Sequence, residues 1–157
     1  MKIAESLEDA LRQAIEMENQ GRCHYMALAS ATDDPELERL FQELAVAEDE
    51  HRKRFVEILY NEVLLENVPP EEAGNLGTVT CTVTGGRDRG HHAAKTPDDV
   101  AAGILEALEM EKESRDLYTR RAAEAVDLDL ARFYEALAAE EHGHWLALKR
   151  AYEDIAE

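Results

Sequence analysis

The chain has 157 residues, of which 45% are hydrophobic and 33% are charged, with only 8 glycines and 4 prolines. This length favours a single domain over residues 1–157 with a sizeable core, and the scarcity of helix breakers indicates an all-α protein. The formal net charge of −18 argues against nucleic acid or an anionic membrane as a partner.

The first two predicted elements are amphipathic helices that form a hairpin over residues 6–60. Ser6 is a candidate N-cap, and apolar positions then recur at steps of three and four residues. Asp34, followed by Pro35 at the first helical position, predicts the start of the second helix. A turn this short joins antiparallel helices.

Residues 61–96 lose the helical period and are predicted to form a long crossover. A helix of roughly 26 residues is about 39 Å long. A connection that returns over that distance needs at least about 12 extended residues, and this segment is longer. Within it, residues 78–84 alternate in polarity and could form a strand or an edge ribbon.

The second hairpin, residues 97–156, repeats the first at a fixed offset of 93 residues. Pro97 and Asp127 mark the starts of its two helices. Fourteen of the 38 positions from 14 to 51 are identical to their counterparts, without a gap. The chain therefore reads as a duplicated helical hairpin, and the long crossover between the copies predicts a ferritin-like four-helix bundle.

Six polar residues occupy positions where the helical rhythm demands an apolar side chain. They are Glu18, Glu48 and His51 in the first hairpin and Glu111, Glu141 and His144 in the second. Burying four ionised carboxylates without compensation would cost many kcal/mol. Either the glutamates are protonated, or their helix face is solvated, or they surround cations.

Two divalent metals would balance four carboxylates, and the repeated register of all six residues favours this interpretation. Mixed carboxylate and imidazole ligation suits iron or manganese and, less selectively, zinc. Each ligating histidine should also have an acceptor for its other ring nitrogen, which the sequence does not identify. The remaining candidates are predicted to lie outside the site. They are Glu16, Glu50, Glu109, Glu113 and Glu140 on solvated faces, His24, His91, His92 and His142 as non-ligands, and Trp145 in packing.

The repeated motifs resemble the ferritin-like di-iron domain of rubrerythrins. The resemblance rests on EMENQGRCHY and EMEKESRDLY, followed by AEDEH and AEEHGH. It implies two iron ions with Glu18 and Glu111 as terminal ligands, Glu48 and Glu141 as bridges, and His51 and His144 as terminal nitrogen ligands. It further implies that Tyr25 and Tyr118, two turns beyond the terminal glutamates, form hydrogen bonds close to the centre.

The chain departs from the family pattern in two places. Full-length rubrerythrins carry a rubredoxin-like iron centre with paired CxxC motifs, whereas the two cysteines here, Cys23 and Cys81, form neither a CxxC pair nor a disulfide framework. We therefore expect an external electron donor. Rubrerythrins also have a further glutamate about one turn beyond the third-helix ligand, a position that Ser114 occupies here.

The leading functional hypothesis is a non-haem di-iron oxidoreductase that reduces peroxide or O2. The alternatives are a ferroxidase that handles ferrous iron and a metal-binding bundle without turnover. The N-terminus has no apolar signal core, so we expect a cytoplasmic protein with no membrane partner. A homodimer is the expected assembly.

Overall fold

A computed structural model describes residues 6–64, 81 and 97–157, and these residues form a bundle of four long α-helices. The helices are α1 (Leu7–Ala31), α2 (Pro35–Leu59), α3 (Pro97–Glu124) and α4 (Leu128–Ala156), and a π-helical turn (Tyr60–Leu64) extends α2. The all-α prediction is confirmed. The predicted strand at 78–84 lies outside the described residues, except for Cys81.

The helix starts follow the local capping signals in the sequence. The Ser6 hydroxyl accepts a hydrogen bond from the Asp9 amide at 3.1 Å. Asp34 and Asp127 cap α2 and α4 in the same way, by accepting from backbone amides of the first turn. Because these caps involve residues only two or three positions apart, they can be recognised in the sequence.

The helices pair as two hairpins, α1 with α2 and α3 with α4, and α1 also contacts α3 while α2 contacts α4. Tyr25 on α1 reaches Glu111 on α3, and Tyr118 on α3 reaches Glu18 on α1. This reciprocal pairing means that α1 and α3 run antiparallel. Since each hairpin is also antiparallel, α2 and α3 run in the same direction, as expected for two hairpins joined by a long crossover.

The core consists of two apolar clusters, one towards each end of the bundle. One contains Leu11, Phe55, Leu59, Tyr118 and Leu137, and the other contains Tyr25, Leu28, Phe41, Ile104 and Leu148, with further apolar neighbours around each. In sequence, the six predicted ligands fall between the residues of the two clusters on every helix. The polar layer therefore lies in the middle of the bundle.

Helices α1 and α3 approach closely where Gly103 faces Leu28. A Cβ atom on Gly103 would lie 2.3 Å from a Leu28 methyl carbon, which is closer than packed atoms come. At the same point His24 Nε2 lies 2.9 Å from the Gly103 carbonyl oxygen, so it can donate a hydrogen bond there. The missing side chain thus permits an interhelical contact that helical periodicity alone does not predict.

The two cysteines, in which the sequence analysis found no disulfide framework, form a single disulfide. Cys23 on α1 is bonded to Cys81 in the crossover, with their Cα atoms 5.2 Å apart and 58 residues between them in sequence. The spacing rules for cysteine motifs do not detect such a pair, because only the path of the chain brings Cys81 to α1.

In the described part of the chain, no helix combines the length and the apolar character needed to cross a bilayer.

Candidate metal centre

The structure brings all six predicted ligand residues together in the polar layer. Glu18 and Glu111 come from α1 and α3, Glu48 and His51 from α2, and Glu141 and His144 from α4. Five of the six are buried, whereas the side chain of His144 keeps 18% of its surface exposed. Each helix of the bundle therefore contributes at least one carboxylate to a single interior site.

The six residues fall into two overlapping groups, each with its ligand atoms within 4.8 Å of one another. Glu18 and His51 belong to the first group, and Glu111 and His144 belong to the second. Glu48 and Glu141 belong to both groups. Each group could hold a metal ion, and the two groups have two carboxylates in common.

The atoms directed into the centre are buried and have no hydrogen-bond partner. They include Glu18 Oε2, Glu111 Oε2, Glu141 Oε1, His51 Nδ1 and His144 Nδ1. Buried polar atoms without a partner are costly, each by about 1–3 kcal/mol or more when charged. Their convergence fits a pair of cations, which would satisfy the oxygen and nitrogen lone pairs together.

Glu48 and Glu141 resist ionisation in the metal-free centre. Burial raises the pKa of Glu48 well above its usual range, and repulsion from Glu18 and Glu141 adds to the rise. Burial likewise raises the pKa of Glu141, although His51 opposes the rise. The two carboxylates that the groups share therefore hold protons more tightly than a free carboxylate does, and a bound metal ion would displace those protons.

His51 and Glu111 favour their charged forms in spite of their burial. Burial disfavours the charged imidazole, but Glu141 and Glu18 outweigh this effect and raise the pKa of His51 to about 11. Its Nδ1 lies 3.2 Å from Glu141 Oε1 and 3.3 Å from Glu18 Oε2. Burial also opposes ionisation of Glu111, yet the neighbouring His144 leads the interactions that lower its pKa.

The two predicted tyrosines form hydrogen bonds with the carboxylates of Glu111 and Glu18. The Tyr25 hydroxyl donates to Glu111 Oε1 at 2.5 Å, and the Tyr118 hydroxyl donates to Glu18 Oε1. Burial and the adjacent glutamates raise the pKa of both phenols, so the hydroxyls keep their protons and remain donors. Each tyrosine belongs to one hairpin and orients the carboxylate of the other.

Glu140 is a functional candidate that the sequence analysis assigned to a solvated face. Its side chain is 47% exposed, yet its Oε2 atom lies 2.5 Å from Nε2 of the buried His51. It is therefore the acceptor that metal-binding histidines require, and the second ring nitrogen, Nδ1, is left facing the centre. No periodicity signal identifies Glu140, because it lies beside the apolar stripe and reaches over to a neighbouring helix.

The remaining predicted non-ligands lie outside both ligand groups, or outside the described residues in the case of His91 and His92. His24 pairs with the Gly103 carbonyl, and Trp145 stacks on His142 with ring centroids 6.0 Å apart. Ser114, at the position of the extra rubrerythrin glutamate, is half-buried. No further carboxylate joins the two groups among the described residues.

Comparison with known proteins assigns the chain to one family. The family model described as Rubrerythrin matches residues 9–152, so the chain belongs to the rubrerythrin family. No curated protein and no solved structure matched the chain. Membership confirms the resemblance seen in the two hairpin motifs and, together with the buried carboxylate and histidine cluster, indicates a di-iron carboxylate protein.

Proposed function

We propose that this member of the rubrerythrin family is a non-haem di-iron oxidoreductase that reduces peroxide or O2. The observation that carries the proposal is the pair of buried ligand groups that share Glu48 and Glu141. Two ferrous ions held there would supply the two electrons that convert one hydrogen peroxide and two protons to two waters, and an external donor would restore them.

The surrounding residues support turnover by fixing the ligands and excluding water. Tyr25 and Tyr118 keep the terminal carboxylates oriented, and the apolar clusters on both sides of the polar layer separate the centre from bulk solvent. His144 is the most exposed of the six ligands. A small oxidant therefore has its shortest approach on the His144 side of the centre.

The proposal is tested by mixing anaerobically iron-loaded protein with hydrogen peroxide, and separately with O2, while ferric absorption is recorded. We expect rapid oxidation of two irons per chain and repeated turnover when a reductant is present. Glu141→Ala should abolish both, because it removes a ligand shared by the two positions. Glu113→Ala, which removes an exposed carboxylate from α3, should behave like the wild type.

Two alternative functions give different results in the same experiment. A ferroxidase would oxidise ferrous iron supplied in excess and release or store the ferric product instead of returning to the ferrous state. A purely structural centre would bind iron, and Glu141→Ala would leave peroxide and O2 consumption unchanged.

We propose a homodimer, which is too small to store a mineral core, and the mass in solution tests this assembly.

A further inference from the structure

The duplicated hairpins supply equivalent ligands but differ behind the two histidines. Glu140, which directly precedes the bridging Glu141 on α4, accepts a hydrogen bond from His51 Nε2 at 2.5 Å. The corresponding residue on α2, directly before the bridging Glu48, is Ala47. A methyl group accepts no hydrogen bond, so the repeat cannot offer His144 the same support from this position.

A carboxylate behind a ligating histidine changes the ligand in three ways. It holds the proton on the outer ring nitrogen, so that the inner nitrogen presents its lone pair, and it makes that nitrogen more basic. It also fixes the orientation of the ring. His51 is 2% exposed and has such a carboxylate behind it, whereas the His144 side chain is 18% exposed.

We infer that the two metal positions are inequivalent and that the position formed by Glu18, Glu48, His51 and Glu141 fills first. Glu140 is the positioning residue that creates the difference, since the ligand types of the two positions are otherwise matched. This inference rests on the two-metal site of the proposed function and adds an order of loading to it.

The distances within the centre support the same order. His51 Nδ1 lies 3.2 and 3.3 Å from the carboxylate oxygens of Glu141 and Glu18. His144 Nδ1 lies further from its carboxylate neighbours, at 3.5 Å from Glu111 and 3.8 Å from Glu48 and Glu141. His51 Nδ1 therefore lies closer to its carboxylate neighbours than His144 Nδ1 does to its own.

The first test uses Co(II) as the probe, at one equivalent per chain. Crystals of this complex, measured at the cobalt absorption edge, report the occupancy of each position separately. We expect the position beside His51 to hold most of the metal. Equal occupancy, or preference for the position beside His144, would overturn the inference.

The second test compares variants by Co(II) titration followed by visible absorption and calorimetry. Loss of a residue behind a ligating histidine typically weakens metal binding by about 10–100-fold. Glu140→Ala should therefore weaken Co(II) binding at the position beside His51 by about that factor. Binding at the position beside His144 should stay unchanged. Glu140→Gln, which keeps an oxygen acceptor, should recover part of the loss.

Two further variants separate positioning from a general effect on the fold. Glu135→Ala removes an exposed carboxylate from the same helix and should leave both sites unchanged. Ala47→Glu places a carboxylate at the matching position of the first hairpin and should strengthen the weaker site, which narrows the gap between the two affinities.

Two results would contradict the role of Glu140. One is equal behaviour of Glu140→Ala and Glu135→Ala, and the other is a parallel weakening of both sites in Glu140→Ala. Because Ala47→Glu retains every native ligand, an unchanged affinity gap in that variant would also count against the inference. Failure of the wild type to bind two Co(II) ions would instead contradict the proposed two-metal site.

Discussion

The Tyr25 hydroxyl on α1 donates a hydrogen bond to Glu111 Oε1 on α3 at 2.5 Å, although the two residues belong to different hairpins. The repeat-related bond from Tyr118 to Glu18 crosses the bundle in the opposite direction. Each terminal carboxylate is thus oriented by the other copy of the duplicated hairpin. Neither hairpin by itself contains a complete centre.

Replacing Tyr25 with phenylalanine should weaken the metal position that contains Glu111. The loss leaves a buried carboxylate oxygen without its donor, at a cost of about 1–3 kcal/mol. We expect the affinity for ferrous iron at that position to fall by about tenfold or more. Anaerobic iron titration measures the change.

The reciprocal variant, Tyr118→Phe, should instead affect the position that contains Glu18. Tyr152→Phe, at a partly buried position near the end of α4, is the matched control. If all three variants bind iron like the wild type, the tyrosines serve only to pack the core.

The stability of the metal-free protein should fall as the pH rises from about 6.5 towards 11. The pKa of His51 is raised to about 11 in the folded protein, above its ordinary value of 6.5. The contribution of His51 to the free energy of unfolding is therefore complete below pH 6.5 and is lost as the pH rises through 11. The raised pKa values of Glu48 and Glu141 act in the same direction above pH 4.5.

Bound metal should reverse this trend, since metal competes with protons for the same atoms. Stabilisation by Zn(II) should increase with pH, and binding should release protons. Urea unfolding at pH 6 and pH 9 measures how the free energy of unfolding changes with pH in the metal-free protein and in the zinc-loaded protein. A metal-free protein that is more stable at pH 9 than at pH 6 would contradict this prediction. So would zinc binding that releases no protons.

Gly21→Ala should impair metal binding while it leaves the fold intact. A Cβ at this position would lie 3.1 Å from Glu48 Oε2, so the carboxylate shared by both metal positions must move. Alanine also favours the helix by up to about 1 kcal/mol over glycine. We therefore expect a metal-free protein that is at least as stable as the wild type but has a lower affinity for iron.

The matched control is Ser114→Ala at the repeat-related position, where a Cβ is already present. It should alter iron affinity much less than Gly21→Ala does. Equal affinities in wild type and Gly21→Ala would show that Glu48 does not need its present position. Unfolding curves and anaerobic iron titrations of both variants decide the matter.

Removing the Cys23–Cys81 disulfide should destabilise the protein without abolishing the centre. The bond closes a loop of 58 residues, for which the loss of unfolded-state entropy predicts about 2–4 kcal/mol of stabilisation. Cys81→Ser should lower the free energy of unfolding by that amount under oxidising conditions.

Under reducing conditions, wild type and Cys81→Ser should have the same stability, and both should still bind two irons per chain. A thiol assay on the folded, oxidised wild type should find no reactive cysteine. Two free thiols per chain in that assay would contradict the disulfide.

The fold and the interior cluster of six polar side chains could be predicted from the sequence because their signals are local and repeated. Ser6, Asp34 and Asp127 cap helices through bonds that span two or three residues. The six ligand residues were recognisable because ionisable side chains interrupt apolar stripes at the same register in both copies. Repetition converted a weak motif such as Glu48–His51 into a specific one.

The features that the sequence analysis missed depend on contacts between distant parts of the chain. Glu140 supports His51 across 89 positions, and Cys23 bonds to Cys81 across 58. Gly103 admits Leu28 because two helices approach closely at that point. None of these pairs follows from helical periodicity, since each requires the relative placement of two elements that local rules leave open.

Diffraction from iron-loaded crystals at the iron absorption edge would locate bound iron in the polar layer directly. We expect two anomalous peaks per chain, both contacting Glu48 and Glu141. One peak should also contact Glu18 and His51, and the other should contact Glu111 and His144. No peak in the polar layer, or only a single peak at full iron loading, would contradict the proposed two-metal site.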